Sequence, residues 1–350
     1  MGQLRENIQR INVFLRDKEK KSFPTVIKEI TVLSLSKGHF PLYYFGRFLY
    51  RKNITNYKDY LSLKEYYAIL NSKVYNTKEY TYILENKLCF ALFCKENNLP
   101  TPKTICYNMK SMFLGFEKKN EIQTRESFIE YIHSIFEKIN CDRIFVKTVS
   151  GSGGKGVYLL TRENLDSITN AQVEKIMKSV CIYQEGVIQH ENLNLLYANS
   201  INTIRIDTYI DNRNQINILS SGIRIGTGNN YVDNISSGGV FVPADPSTGK
   251  LGKYSFQSMI HGGKKYTHHP DTKVEFLDFQ IPFFEEAKDL CLQLTKHLPS
   301  RLIGWDIAIT PKGPIVIEGN TRPGFLLGEI YHKGYRNHPI GKEMLTNVRP

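Results

Sequence analysis

The stretch IGWDIAITPKGPIVIEGNTRPGF, residues 303–325, restricts the fold of this chain more than any other. It reads as two short strands, 302–310 and 314–319, around a Pro-Lys-Gly turn. Asp306 sits inside the first, apolar strand, and Glu318 lies as far beyond Lys312 as Asp306 lies before it. A hairpin paired symmetrically about Lys312 sets the two carboxylates directly opposite each other. Asn320 then shares the face of Glu318, because strand side chains repeat every second residue. Acids are depleted from apolar strands, and two opposed carboxylates repel unless something positive stands between them. A hard divalent cation with oxygen ligands meets that need, and magnesium shared with substrate phosphates is the commonest case. The alternative is an exposed hairpin with solvated acids.

A second stretch, FVKTVSGSGGKGVYLL, places Gly151, Gly153, Gly154 and Gly156 between two strand-like runs. Glycine lets the backbone approach a ligand closely and point successive N–H groups at one anion. Lys147 precedes this loop and Lys155 lies within it. The spacing Gly-x-x-x-x-Gly-Lys-Ser/Thr is absent and a strand follows, so neither a Walker loop nor a Rossmann turn fits. A glycine-rich flap like the cover of kinase-type nucleotide sites does fit, with a plain flexible hairpin as the alternative.

Further along, VCIYQEGVIQHENLNLL leads an apolar strand into a connector. The backbone of Glu185 to Val187 is suited to a purine edge, and Glu191 to ribose hydroxyls, with His190 as its competitor. Arg205 and Arg224 lie within apolar strands, where an arginine either pairs with a carboxylate or clamps a transferring phosphate. The loop HHPDT offers His269 and Asp271 to a substrate. Arg322 stands two residues beyond Asn320, before a Pro-Gly bend at the mouth of such a site. It would hold a substrate carboxylate, or pair with an acid such as Glu329.

In this order, a strand-borne lysine, a glycine-rich loop, a hinge, an arginine strand and a terminal Asp…Glu-x-Asn hairpin resemble an ATP-grasp enzyme. FVKTVSGSGGKGV, INTIRIDT, SSGGVFV, HHPDT and the last hairpin resemble, more narrowly, the sugar-transfer-associated ATP-grasp family over about residues 85–330. The resemblance implies an α+β fold in which two lobes sandwich ATP. It also implies activation of a carboxylate as an acyl phosphate, which an amine or similar group then attacks. On it, Lys147 would hold the α-phosphate, while Ser152, Gly153 and Gly154, with Lys155 beside them, would cover the β and γ phosphates. Asp306, Glu318 and Asn320 would hold magnesium, and Arg205, Arg224 and Arg322 would serve the reaction. Gln184 occupies a hinge position where relatives often carry Glu.

Residues 1–80 lie outside the secure match and carry 15 Lys or Arg against 7 Asp or Glu, which is +8 of the chain's formal +12. Helical periodicity with interleaved Tyr and Phe reads as a helical domain with solvated basic residues, or as a face for an anionic membrane or a glycosyltransferase. Nucleic-acid fingerprints are absent. The expected organisation is residues 1–80 as this segment, 81–185 as a linker and first lobe, and 186–350 as a second lobe. Two helices are expected between residues 61 and 97. Six cysteines without a Cys-x-x-Cys pair, no membrane-length apolar run and no leader pattern point to a cytoplasmic protein. The rival readings are a phosphotransferase using ATP and magnesium, and a nucleotide-binding adaptor without catalysis.

Overall fold

Two antiparallel sheets form where apolar residues alternate along the chain. The computed structural model describes residues 2–116, 120–151, 156–228, 233–324 and 326–348. The first sheet holds β1 (Thr104–Met109), β2 (Met112–Leu114), β3 (Asn120–Glu121), β4 (Arg143–Thr148), β5 (Val157–Thr161) and β6 (Val180–Glu185). Their spatial order is β3-β2-β1-β6-β4-β5. Helices Arg125–Ile139 and Asn170–Met177 bury Phe128, Ile132, Val173 and Ile176 against Ile144, Val146 and Tyr183 of that sheet. Thr124 caps the first of these helices by accepting from the Ser127 N–H, as a side-chain oxygen at that position should.

The second sheet holds β7 (Ile204–Ile210), β8 (Ile216–Ile225), β9 (Val240–Pro243), β10 (Ser255–Phe256), β11 (Lys265–Tyr266), β12 (Leu302–Thr310) and β13 (Gly313–Asn320). Its order is β11-β10-β9-β8-β7-β12-β13. Helix Phe284–His297 packs Ala287, Cys291 and Leu294 into one core with Ile204, Ile206, Ile223, Ile303, Trp305 and Ile307. Strand periodicity then decides where the polar residues go. With those six side chains facing the helix, Arg205, Arg224 and Asp306 must point from the opposite face.

The N-terminal segment is helical and packs on the second lobe. Residues 61–97 form three helices rather than two: Leu63–Asn71, Lys78–Glu85 and Lys87–Glu96. The extra break falls at Asn86, whose side chain accepts from the N–H groups of Leu88 and Cys89 at 3.1 Å and so starts a new helix. Tyr66, Ile69 and Tyr75 share a core with Tyr209, Leu302, Tyr335 and Met344. Arg47 reaches Glu329 at 2.5 Å, and the Leu61 N–H donates to the same carboxylate at 2.9 Å. No helix among the described residues is long and apolar enough to cross a membrane.

Candidate functional site

The hairpin β12–β13 does oppose Asp306 and Glu318, but not by symmetry about Lys312. Thr310 pairs with Gly313, so the turn has two residues and is centred half a residue earlier. The register holds to Ile307 opposite Val316 and then shifts by one, leaving Ile317 as a bulge. A bulge breaks the two-residue alternation, and so both Ile317 and Glu318 line the cleft. Asn320 shares the face of Asp306 and donates to its Oδ2 and to Gly304 O, each at 3.4 Å.

The two carboxylates live in opposite electrostatic settings. Asp306 is buried, with Arg205 Nε at 2.6 Å from Oδ1 and Arg224 Nη2 at 2.7 Å from Oδ2. Burial alone would raise its pKa, yet the two guanidinium charges outweigh that and hold it well below the usual carboxylate range. Glu318 is pushed upward by burial and then by the charge of Asp306. Arg224 also donates to the Thr203 hydroxyl, and Asp233 lies 3.7 Å from its Nε. Burial pulls this guanidinium down, but Asp306 and Asp233 more than restore its affinity for the proton.

The cleft lies between the two sheets. Its empty space, open mouth included, is about 1170 Å³. Lys147 on β4 lines it, with Nζ donating to Gln184 Oε1 at 3.1 Å. Burial pushes the Lys147 amine down to about 8, against the pull of Glu318. Gln184 in turn donates to Pro102 O at 3.3 Å, which fixes its amide. Glu185 and Val187 line the same wall. The N–H groups of Glu185 and Gly186 are taken by Lys103 O and Arg143 O, whereas that of Val187 has no partner among the described residues. Gly156, where β5 begins after the loop, has φ +76°, and a Cβ there would meet the Thr148 hydroxyl at 2.6 Å. Ser152, Gly153, Gly154 and Lys155 lie outside the described residues.

Several expected residues stand elsewhere. Glu191 does not line the cleft. Its helix, Glu191–Leu196, starts where the His190 N–H is pinned to Ile309 O at 2.9 Å, and Glu191 is exposed on the first turn. Arg205 stands behind Asp306 rather than on the cleft wall. His269 is buried and closes its own loop: its Nε2 meets Gly226 O at 2.8 Å, and its Nδ1 accepts from the Asp271 and Thr272 N–H groups. Asp271 accepts from the Gly228 N–H at 2.7 Å. Arg322 makes no ion pair among the described residues, since Glu329 is held by Arg47. It is exposed on the wall of a second cavity of about 980 Å³, which shares Lys87, Gly151 and Glu318 with the cleft.

Lys87 is the residue that sequence reasoning missed. As the first residue of the helix capped by Asn86, it donates its N–H to Val149 O at 2.9 Å and its Nζ to Gly151 O at 2.7 Å. It thereby fastens the start of the glycine loop from a helix that, in sequence, shows only amphipathic periodicity. Neither the helix start at Asn86 nor its meeting with Val149 and Gly151 was read from the sequence, although an Asn before a helical run is a capping signal.

A family model described as sugar-transfer associated ATP-grasp matches residues 68–341. No curated protein matches the chain. Among solved structures, it is similar to D-alanyl-alanine synthetase A from Vibrio cholerae O1 biovar eltor, at 15% identity and a TM-score of 0.47, over 78% of this chain and 67% of that one. The ATP-grasp ligase PsnB, complexed with precursor peptide PsnA2 and AMPPNP, is similar at 13% identity and 0.42, over 79% and 63%. The D-alanine-D-alanine ligase from Coxiella burnetii is similar at 9% and 0.43, over 78% and 60%. The chain thus spans 60–67% of the length of these structures.

Proposed function

The chain belongs to the sugar-transfer associated ATP-grasp family, and from that premise we propose that it is an ADP-forming ligase that joins a carboxylate to an amine or similar nucleophile. ATP and magnesium are the cofactors of ATP-grasp enzymes, and the residues fit both. Asp306, Glu318 and Asn320 bring hard oxygen atoms to one place, and among the described residues Glu318, its carboxyl raised, makes no direct ion pair such as Asp306 makes with Arg205 and Arg224. Magnesium bound there would screen the phosphates of ATP from these acids.

The observation that carries the reading is the second cavity, which meets the nucleotide cleft at Glu318 and presents Arg322, a residue with no ion pair among the described residues. Gln184 and the Val187 N–H suit a purine edge, and Lys147 and Arg224 suit phosphate oxygens. Arg205 acts as a positioning residue that orients Asp306. Arg322 holds the acid through two parallel hydrogen bonds. An oxygen of that acid attacks the γ-phosphorus, and ADP leaves. The nucleophile then attacks the acyl carbon of the acyl phosphate and expels inorganic phosphate. The family's tie to sugar transfer supports a place in surface-polysaccharide or related biosynthesis, and the use of ATP supports the cytoplasm.

The test is incubation with ATP, magnesium and a panel of acids, amino acids and sugar nucleotides, with products followed by mass. ADP and free phosphate should appear in step with a ligated product. A product that keeps the phosphate would replace this reading with a phosphotransferase. Arg322→Lys should raise the KM for the acid or cut turnover sharply while ATP affinity stays near that of the parent. Parental kinetics in Arg322→Ala would remove Arg322 from the site.

Lys147 gives a second expected outcome. A charge-assisted bond to phosphate contributes about 1.5–3 kcal/mol, so Lys147→Ala should weaken ATP roughly 10- to 150-fold. With its amine pushed down to about 8 in the free protein, Lys147 is charged below that pH and neutral above it. ATP affinity should therefore be flat up to about pH 7 and fall roughly tenfold by about pH 9. Lys147→Arg should abolish that fall, because a guanidinium keeps its proton. Calorimetry across this range, at fixed magnesium, checks both.

A further inference from the structure

Helix Gly2–Arg16 rests against the turn Met259–His261 and turns Phe14 inward, where its ring meets those of Phe45 and Tyr50. At about 100° per residue, Ile11, Leu15 and Ile8 fall within roughly 60° of one another on the flank next to Phe14, with Arg5 and Arg16 beyond them on the side opposite Phe14. These three side chains are 49%, 57% and 49% exposed. The next helix, Phe23–Lys37, meets the first through the ring contact of Phe14 with Phe23 at 6.0 Å, and leaves Phe23, Ile27 and Leu35 51–81% exposed, with Lys28 beside Ile27. Single exposed aliphatics are ordinary, but six on two touching helices mark a surface that something covers.

The charges say what that something is. Asp17 is paired with Arg51 at 2.8 Å and Glu29 with Lys21 at 2.7 Å, both on poorly exposed side chains, while Glu6 is paired with Arg10. Glu19 is then the one acid of residues 5–37 without an ion pair among the described residues, against Arg5, Arg16, Lys18 and Lys28. Lys253 and Lys264, exposed on and near the loop beneath the first helix, extend the positive field. A second copy of the chain fits poorly, because a two-fold contact would press this face, with its arginines, against itself. A surface that is apolar a few ångströms below an anionic plane accepts both parts at once.

We propose that the helix pair Gly2–Arg16 and Phe23–Lys37 docks the protein on an anionic membrane surface, with Ile8, Ile11, Leu15, Phe23, Ile27 and Leu35 entering the headgroup boundary and Arg5, Arg16 and Lys28 meeting lipid phosphates. The nucleotide site plays no part in this argument.

The experiment is co-flotation of the full chain with phosphatidylcholine vesicles, with and without phosphatidylglycerol. The protein should float with the anionic vesicles and stay behind with the zwitterionic ones. Arg16→Ala should lower partitioning about fivefold, and high salt should suppress it. Ile11→Ser combined with Leu15→Ser should lower it roughly tenfold or more. These side chains are on the surface, so an unchanged melting temperature will show that the fold is kept. Failure of the parent protein to float with anionic vesicles overturns the proposal. So does binding that survives the Ile11 and Leu15 substitutions, or a solution dimer that those substitutions dissolve, which would assign the face to a second copy.

Discussion

Glu318→Gln should fold as well as the parent protein and turn over roughly a hundred- to a thousandfold more slowly. The two halves of that result come from one fact. Glu318 makes no ion pair among the described residues, and burial together with Asp306 raises its pKa against the weaker pull of Lys87 and Arg224, so an amide there relieves repulsion. Asp306 is the reverse case: both of its oxygens are engaged by arginines, and Asp306→Asn should lose stability as well as activity. Combining the two substitutions should cost turnover little more than either alone, because the pair acts as a unit. Metal-dependent ATP binding undiminished by calorimetry in Glu318→Gln would remove this residue from the metal site.

The largest stability effect is expected far from the cleft wall, at Arg47. Arg47→Ala should destabilise the protein by about 3–5 kcal/mol, because it strands the buried Glu329 carboxylate. Burial already pushes Glu329 upward and pulls Arg47 downward, so the pair attracts less than its desolvation costs. It follows that Arg47→Met with Glu329→Met should be less harmful than Arg47→Ala alone. Urea unfolding of the three proteins decides it, and a double variant weaker than Arg47→Ala would refute the account.

Period-two patterns made much of the site readable in advance. Asp306, Glu318 and Asn320 share a face, and Arg205 and Arg224 point to the side away from the helix-covered core, as strand alternation requires. The route to the facing carboxylates was misread, since a bulge and an off-centre turn depend on how β13 meets its neighbours. Glu191 and His269 looked like site residues because a polar side chain after a strand has the same local signature whether it meets a ligand or closes a loop. Lys87 and the Arg47–Glu329 pair were beyond reach for a plainer reason. Their partners are 62 to 282 positions away, and no local pattern encodes such a meeting. The basic count of the first 80 residues also exceeds the number of free cations there: Lys21, Lys37, Arg47 and Arg51 each pair with an internal acid.

The packing of the first helices onto the last strands sets a delay on the ribosome. Leu84 is met by Gly319, Tyr66 donates to Pro323 O, and Leu61 waits for Glu329. At ~5–20 residues per second, roughly ten to fifty seconds separate the emergence of these early segments from that of their partners. Throughout that interval Tyr66, Tyr75 and their neighbours have no core to enter. The nascent chain therefore offers a holding chaperone an aromatic-rich binding segment, and slowing translation late in the message should lower the yield of folded protein more than slowing it early.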